Sequence, residues 1–272
     1  PRSGSRPPAV SGLDWLRCPH CAAPLSRGDH RLTCASGHSF DVARQGHVNL
    51  LGRAAPANAD TPAMLDARAR FLAAGRYAAL ADAVASALSG ALRIVEVGAG
   101  TGYYLGRALD SLPGAEGLAT DVSPAAARRA ARAHPRAASI VADTWAGLPL
   151  LDDAVDAILC VFAPRNPAEF ARVLAPGGRL VVVVPRAHHL GELRADYGLL
   201  DVAADKAEAL VGSLPGWRLA ALETVERRLE LTSDEVADVI AMGPNAFHGG
   251  RSGTAPASVT VAVDILTLVR PG

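Results

Sequence analysis

The stretch Leu92-Arg-Ile-Val-Glu96-Val-Gly98-Ala-Gly100-Thr-Gly102-Tyr103 carries the strongest architectural signal in the chain. Leu92–Val97 reads as an apolar strand, three glycines at alternate positions follow, and Tyr103–Leu109 reads as a short helix. Glycine permits a sharp strand-to-helix turn and lets the backbone approach a ligand closely. The glycine spacing is one residue shorter than that of the dinucleotide-binding loop G-x-G-x-x-G.

On either side of this loop, strands and helices alternate. Glu116–Asp121, Ala138–Ala142, Val155–Phe162 and Arg179–Pro185 read as strands, Pro124 opens a helix, and Pro167–Leu174 is helical. Trp217–Leu231 and Ser258–Val269 alternate as strands do, with a helix at Ser233–Met242 between them, and are expected to close the sheet as a hairpin-like edge. This order predicts a doubly wound, mostly parallel sheet of the α/β class. Upstream, residues 63–89 are Ala-rich and helical, residues 52–62 form a linker, and residues 1–12 are expected to be disordered. The expected domains are thus a small unit over 14–51 and a large one over 63–272.

The small unit carries Cys18-Pro-His-Cys21, twelve intervening residues, then Cys34-Ala-Ser-Gly-His38. Two close pairs brought together by a hairpin, with Gly28-Asp29 at its tip, supply a tetrahedral zinc site. All four ligand positions are filled, so the zinc is expected to be structural. His20 and His30 are spare candidates at poorer spacing. Cys160, in a buried strand, reads as a small core residue.

The chain has 272 residues, half of them apolar, and 27 basic against 27 acidic residues. Zero net charge gives no global support for nucleic-acid binding. Residues 1–60 nevertheless hold seven Arg against four Asp. Arg17, Arg27, Arg31 and Arg44 lie in or beside the metal unit; they are either phosphate contacts or solvated surface. No apolar run approaches the ~20 residues that span a bilayer. Pro1 is not an initiator residue, so a short natural start is expected before it. Clustered thiols with metal spacing point to a reducing cytoplasm.

An acid at the end of the strand, as in Glu96-x-Gly98-x-Gly100-x-Gly102, suits a methionine-bearing nucleoside. Glu96 can organise its ammonium end while the loop backbone, including Thr101, lies against its flat face. Asp121 ends the next strand, where a carboxylate can accept both ribose hydroxyls. Asp143 follows the third strand, placed to read an adenine amino group. Either aspartate could instead be a helix N-cap. The four features in order resemble the class I S-adenosylmethionine-dependent methyltransferases, with a Rossmann-like, mostly parallel seven-stranded sheet.

Further motifs narrow the resemblance. They are Phe40-Asp41 with Gly46-His-Val-Asn49-Leu-Leu51, and Met64-x2-Ala67-Arg68-x2-Phe71-Leu72-x2-Gly75-x-Tyr77. Phe162-Ala163-Pro164, Pro185-x3-His189-Leu190-x-Glu192-Leu193 and Ala241-Met242-Gly-Pro244 complete the set. From about Leu16 onward the chain resembles the 23S ribosomal RNA guanine-N1 methyltransferases, including the subgroup that protects producers of tylosin- and mycinamicin-type macrolides. The resemblance implies methyl transfer from S-adenosylmethionine to N1 of a guanine in a domain II hairpin loop of 23S rRNA, with the zinc module gripping the RNA. It also implies that Tyr77 and His189 approach the cofactor, although the residues alone read as core and surface, and His188 competes with His189. A homodimer is left open.

The target pocket is expected past the fourth strand. Arg165 could stabilise charge at guanine O6, and Asn166 could read the base edge or simply cap the helix at Pro167. Phe162 could stack on the base or pack in the core. Phe247 and His248, in the loop after Pro244, could fold over the site. No residue is identified as the general base. Two other readings are a zinc-ribbon RNA or ribosome binder without turnover, and a small-molecule methyltransferase of antibiotic biosynthesis.

Overall fold

The computed structural model describes residues 11–199, 203, 206–243 and 254–270. After a 3-10 helix at Ser11–Trp15, three short strands, β1 (Ser26–Arg27), β2 (Arg31–Thr33) and β3 (Ser39–Asp41), form an antiparallel sheet, followed by β4 (His47–Asn49). Helices α1 (Pro62–Ala73) and α2 (Ala78–Ala87) lead into β5 (Arg93–Val97), α3 (Tyr103–Ser111), β6 (Glu116–Asp121), α4 (Pro124–Ala130) and β7 (Ala137–Val141). The chain continues through β8 (Val155–Val161), α5 (Pro167–Val173), β9 (Leu174–Pro185), α6 (Gly191–Tyr197) and α7 (Lys206–Gly212). It ends with β10 (Arg218–Leu231), α8 (Ser233–Ala241) and β11 (Ala257–Val269).

The large sheet has the order β10-β11-β9-β8-β5-β6-β7-β4. Strands β4 to β9 run parallel, and β11 and β10 add antiparallel at one edge, as the alternation in the sequence predicts. The order reverses at β5: β6 and β7 lie on one side of it, β8 and β9 on the other. Open α/β sheets bind ligands at such a switch point, beyond the carboxyl ends of the strands. Here that crevice is framed by the loops after β5 and β8.

Three expectations need correction. The seven expected strands gain an eighth: β4 pairs in parallel with β7, matching His47 to Ser139 and Asn49 to Val141. A three-residue strand has little signal of its own, and here the edge of β7 supplies its ladder partner. The helical stretch 63–89 is two helices, because Gly75 takes φ +76° and stops α1. The strand expected from Arg179 already begins at Leu174, with Pro176-Gly177-Gly178 as a bulge inside it, since Val155 faces Leu174 while Ala157 faces Arg179. Helices α6 and α7 carried no periodic signal strong enough to predict. The expected lid loop, with Phe247 and His248, lies outside the described residues.

Alternate residues of each strand feed two cores, one per face. Ile94, Leu159, Val181 and Val183 pack with α1, α2, α3 and α8. Val95, Val97, Ile158 and Val182 pack with α5 and also with Leu13, Trp15, Leu16, Cys18, Leu32 and Val48. The metal-bearing segment therefore shares a core with the sheet. Full burial of Val48 and near-full burial of Leu50 each contribute about 1.5–3 kcal/mol across that junction. The bridge between Leu16 and Leu150 ties a second point.

This shared core predicts linked unfolding. Stripping zinc with a chelator should lower the thermal midpoint of the whole chain and leave one cooperative calorimetric transition. An unshifted transition for the large sheet beside a lost small one would show that the two parts fold independently.

Candidate active site and metal centre

The ligand atoms of Cys18, Cys21, Cys34 and His38 all lie within 4.8 Å of one another. Cys21 Sγ is 3.7 Å from Cys34 Sγ, and His38 Nδ1 is 3.5 Å from Cys18 Sγ and 3.4 Å from Cys34 Sγ. A tetrahedron with Zn–S of ~2.3 Å and Zn–N of ~2.0–2.1 Å has edges of about 3.5–3.8 Å, so the donor set fits zinc. Gly37, at φ +85°, turns the chain between Cys34 and His38, and its N–H donates to the Cys34 carbonyl at 3.0 Å. His20 packs against the His38 and Phe40 rings, and His30 sits exposed at the hairpin tip; neither joins the cluster. Cys160 is fully buried, and burial pushes its thiol up to about 12, as suits a core residue.

At the switch point, Gly98, Gly100 and Gly102 have φ of +63°, +56° and +75°. A Cβ on Gly98 would lie 2.6 Å from Ala163 Cβ, and one on Gly102 2.8 Å from Ala133 Cβ. A side chain at either position would collide with the loop after β8 or with the end of α4, so glycine is what lets these segments close around the crevice. Asp121 locks the loop: Gly100 N–H donates to Oδ2 at 2.8 Å, and Ser123 N–H to Oδ1 at 2.9 Å. Burial raises the Asp121 carboxyl. Thr101 is half-buried within the same loop. Glu96 accepts the Leu105 N–H at 3.2 Å and is almost wholly buried, which pushes its carboxyl up to about 8. A buried acid waiting for a cation suits an ammonium ligand.

Tyr77 and His189 meet at the same crevice. Ala262 N–H donates to His189 Nδ1 at 3.1 Å, which leaves the ring proton on Nε2, 3.4 Å from Tyr77 Oη. Burial pushes His189 down to about 4 and raises the Tyr77 phenol, so both are neutral at pH 7. His188 points outward and pairs with Glu226 at 3.0 Å. Phe162 does not pack in the core: it is 44% exposed, holds φ +52°, and its ring centroid is 5.9 Å from that of His189. Such backbone strain in an aromatic residue is uncommon and concentrates at functional sites.

Asp143 accepts the Trp145 N–H at 2.9 Å and pairs with Arg53, placing linker residue 53 beside the position read as an adenine contact. Asn166 caps α5: its Oδ1 accepts from Glu169 N–H at 3.3 Å and its Nδ2 donates to the Thr144 carbonyl at 3.0 Å. Its side chain is therefore committed to the fold. Arg165 is half-buried and has no ion-pair partner among the described residues. A cleft of about 560 Å³ runs between Pro19, His20 and Cys21 of the metal knuckle and Asp143 and Gly147 after β7. Sequence reasoning missed the contact of Arg53 with Asp143, because no spacing rule joins residues 90 apart.

A nucleotide cradle at the switch point, an acid at its floor and a zinc ribbon sharing the sheet define a class I S-adenosylmethionine-dependent methyltransferase. Residues 94–178 match the family model described as "Methyltransferase domain", and residues 16–54 the one described as "RlmA, N-terminal". The 23S rRNA (guanine(748)-N(1))-methyltransferase of Streptomyces fradiae is 48% identical, with 86% of each chain covered. A Micromonospora griseorubida protein whose name assigns it to the 23S rRNA (guanine-N1-)-methyltransferases is 47% identical over 94% of this chain and 92% of its own. The chain belongs to the 23S rRNA (guanine-N1)-methyltransferase family.

The raised Glu96 has a measurable consequence. Between about pH 4.5 and 8 the folded chain holds a proton on Glu96 that the unfolded chain has released, so this group makes stability fall as pH rises. Glu96→Gln should remove that fall, which can reach about 1.4 kcal/mol per pH unit. Urea unfolding of the cofactor-free proteins at pH 5.5 and 7.5 measures it; parallel pH dependence in the two proteins would show Glu96 ionised throughout.

Proposed function

We propose that the protein transfers the methyl group of S-adenosylmethionine to N1 of a guanine in a domain II hairpin loop of 23S rRNA, in the cytoplasm, and thereby gives macrolide self-resistance. The observation that carries the reading is Phe162, a strained, exposed aromatic at the lip of the glycine cradle, beside neutral His189 and Tyr77. The relatives' names supply the base and atom.

The bound cofactor supplies a sulfonium methyl that is already activated, so positioning and water exclusion can account for most of the rate. Tyr77, Glu96, Gly98, Gly100, Thr101, Gly102, Asp121, Asp143 and His189 hold the cofactor in this reading. Glu96 takes the ammonium, the remaining acceptor capacity of Asp121 takes ribose hydroxyls, and Asp143 reaches the adenine edge once Arg53 yields. His189 fixes the Tyr77 hydroxyl by donating to it, which leaves the phenol proton free to point into the cleft. Phe162 stacks on the splayed guanine. Arg165, uncommitted to an ion pair among the described residues, is placed past β8 to stabilise negative charge at O6 as the N1 proton leaves.

The metal module carries exposed Arg27, Arg31 and Arg44, and a partly exposed Arg17 loosely paired with Asp152 at 3.6 Å. These are the proposed phosphate contacts. Cys18, Cys21, Cys34 and His38 hold the module in shape through the metal.

Incubation of unmodified 23S rRNA with labelled cofactor, followed by mapping, tests the assignment. N1-methylation blocks the pairing edge of guanine, so reverse transcription should halt at one domain II guanine. Label on another atom or nucleotide would overturn the substrate, and bound cofactor without any transfer would favour a binder without turnover. In the same assay Phe162→Ala should lower turnover by about 5- to 150-fold with cofactor affinity unchanged, since a stacked base contributes about 1–3 kcal/mol. Replacing Arg17, Arg27, Arg31 and Arg44 together should flatten the salt dependence of RNA binding by roughly one unit of slope for each phosphate no longer neutralised. An unaltered salt series would place the RNA grip elsewhere.

A further inference from the structure

Arg68 lies on α1, a helix that the reaction as described does not use. Its guanidinium is nevertheless laid over the glycine cradle. A Cβ on Gly100 would stand 2.5 Å from Arg68 Nη1, so the absence of a side chain at Gly100 is what admits the arginine. The charge of Arg68 reaches both Glu96 and Asp121. Nη1 pairs with Asp60 of the linker, and Nη2 donates to the Met242 carbonyl at the end of α8 at 2.6 Å. The Arg68 side chain is still 24% exposed. Arginine has five N–H donors in a planar fork, and among the described residues Asp60 and Met242 are its hydrogen-bond partners.

Around the cradle stand three carboxylates, Asp60, Glu96 and Asp121, with this one arginine set among them. An amino-acid ligand brings an ammonium and a carboxylate on one carbon, so their receptors must be neighbours. Glu96 is the buried acid suited to the ammonium, and Arg68 is the cation beside it. The alternative role is mechanical: Arg68 ties linker, α1 and α8 together, while Arg70–Asp238 and Arg76–Glu235 already clamp α8 to the segment around α1. With two other bidentate clamps present, a third tie reaching over a ligand cradle is poorly explained by mechanics alone.

We infer that Arg68 is a binding residue for the α-carboxylate of the cofactor's methionine end, with Asp60 holding the guanidinium in place for it. The inference rests on the reading that the glycine loop holds S-adenosylmethionine. A charge-assisted arginine–carboxylate contact is among the stronger hydrogen bonds available to a protein. It fixes the amino-acid end at one extremity and so sets the direction in which the sulfonium methyl faces.

The test is calorimetric titration of the zinc-loaded full chain with S-adenosylmethionine and with decarboxylated S-adenosylmethionine, which keeps the sulfonium and amine but lacks the carboxylate. Wild type should prefer the carboxylated compound by on the order of 10- to 100-fold. Arg68→Gln should lose that preference, binding S-adenosylmethionine about as weakly as the decarboxylated compound, whose own affinity should change less than threefold. Arg68→Lys should recover part of the loss. Equal weakening of both compounds in Arg68→Gln would make Arg68 a structural tie and overturn the inference. Wild type with less than a threefold preference would overturn it without any variant, even if Arg68→Gln fails to fold. Wild type that binds neither compound would instead remove the reading of the glycine loop itself.

Discussion

The site depends on one buried carboxylate. Asp121 accepts the Gly100 N–H with one oxygen and the Ser123 N–H with the other, and so fastens the loop after β5 to the loop after β6. Three glycines at positive φ leave only the small side chains of Ala99 and Thr101 to brace the loop after β5. A chain that flexible would collapse into the space it is meant to enclose unless something outside it held the backbone open. Asp121 does so while remaining able to accept further hydrogen bonds. The neighbouring Ser123 extends the bracing outward: its hydroxyl donates to the Asp60 carbonyl at 2.7 Å, bringing the linker down against the cradle.

The linker is thus part of the site. Between the metal segment and α1 it places Arg53 against Asp143 after β7 and Asp60 against Arg68 over the glycine loop. The metal segment is equally continuous with the sheet through β4 and through Leu16, Leu32 and Val48 in the shared core. The zinc ribbon and the cradle are therefore parts of one packed core. For an RNA enzyme this is a physical advantage, since remote binding energy can position the target base only if the grip and the reacting centre keep a fixed distance.

Much of this was legible in the sequence, for physical reasons that differ from feature to feature. Two Cys/His pairs bridged by a hairpin have few uses other than a metal, and the ligand atoms of Cys18, Cys21, Cys34 and His38 do converge. The glycine loop and the strand ends at Glu96 and Asp121 were legible because each is defined by local backbone chemistry. What stayed hidden was non-local. His47-Val48-Asn49 becomes a strand because β7 offers an edge, not because its residues demand one. Asn166 could be read as a base contact or a cap, and its hydrogen bonds to Glu169 and Thr144 make it the cap. Which of His188 and His189 turns inward depends on the backbone of β11, whose Ala262 N–H reaches His189, while His188 pairs with Glu226. Phe162 was evenly poised between core and surface until its positive φ and exposure were known.

If Asp121 both holds the cofactor cradle open and takes part in binding, its carboxylate cannot be replaced by an amide of the same shape. Asp121→Asn turns one acceptor oxygen into a donor, facing one of the two backbone N–H groups with a group that cannot accept. Calorimetric titration of the zinc-loaded variant with S-adenosylmethionine measures the result. The expected affinity is at least tenfold weaker, as follows from losing about 1.5–3 kcal/mol of hydrogen bonding to a charged group, in a chain that stays folded and keeps its zinc. A folded variant that binds S-adenosylmethionine as tightly as the wild type would contradict this role for Asp121.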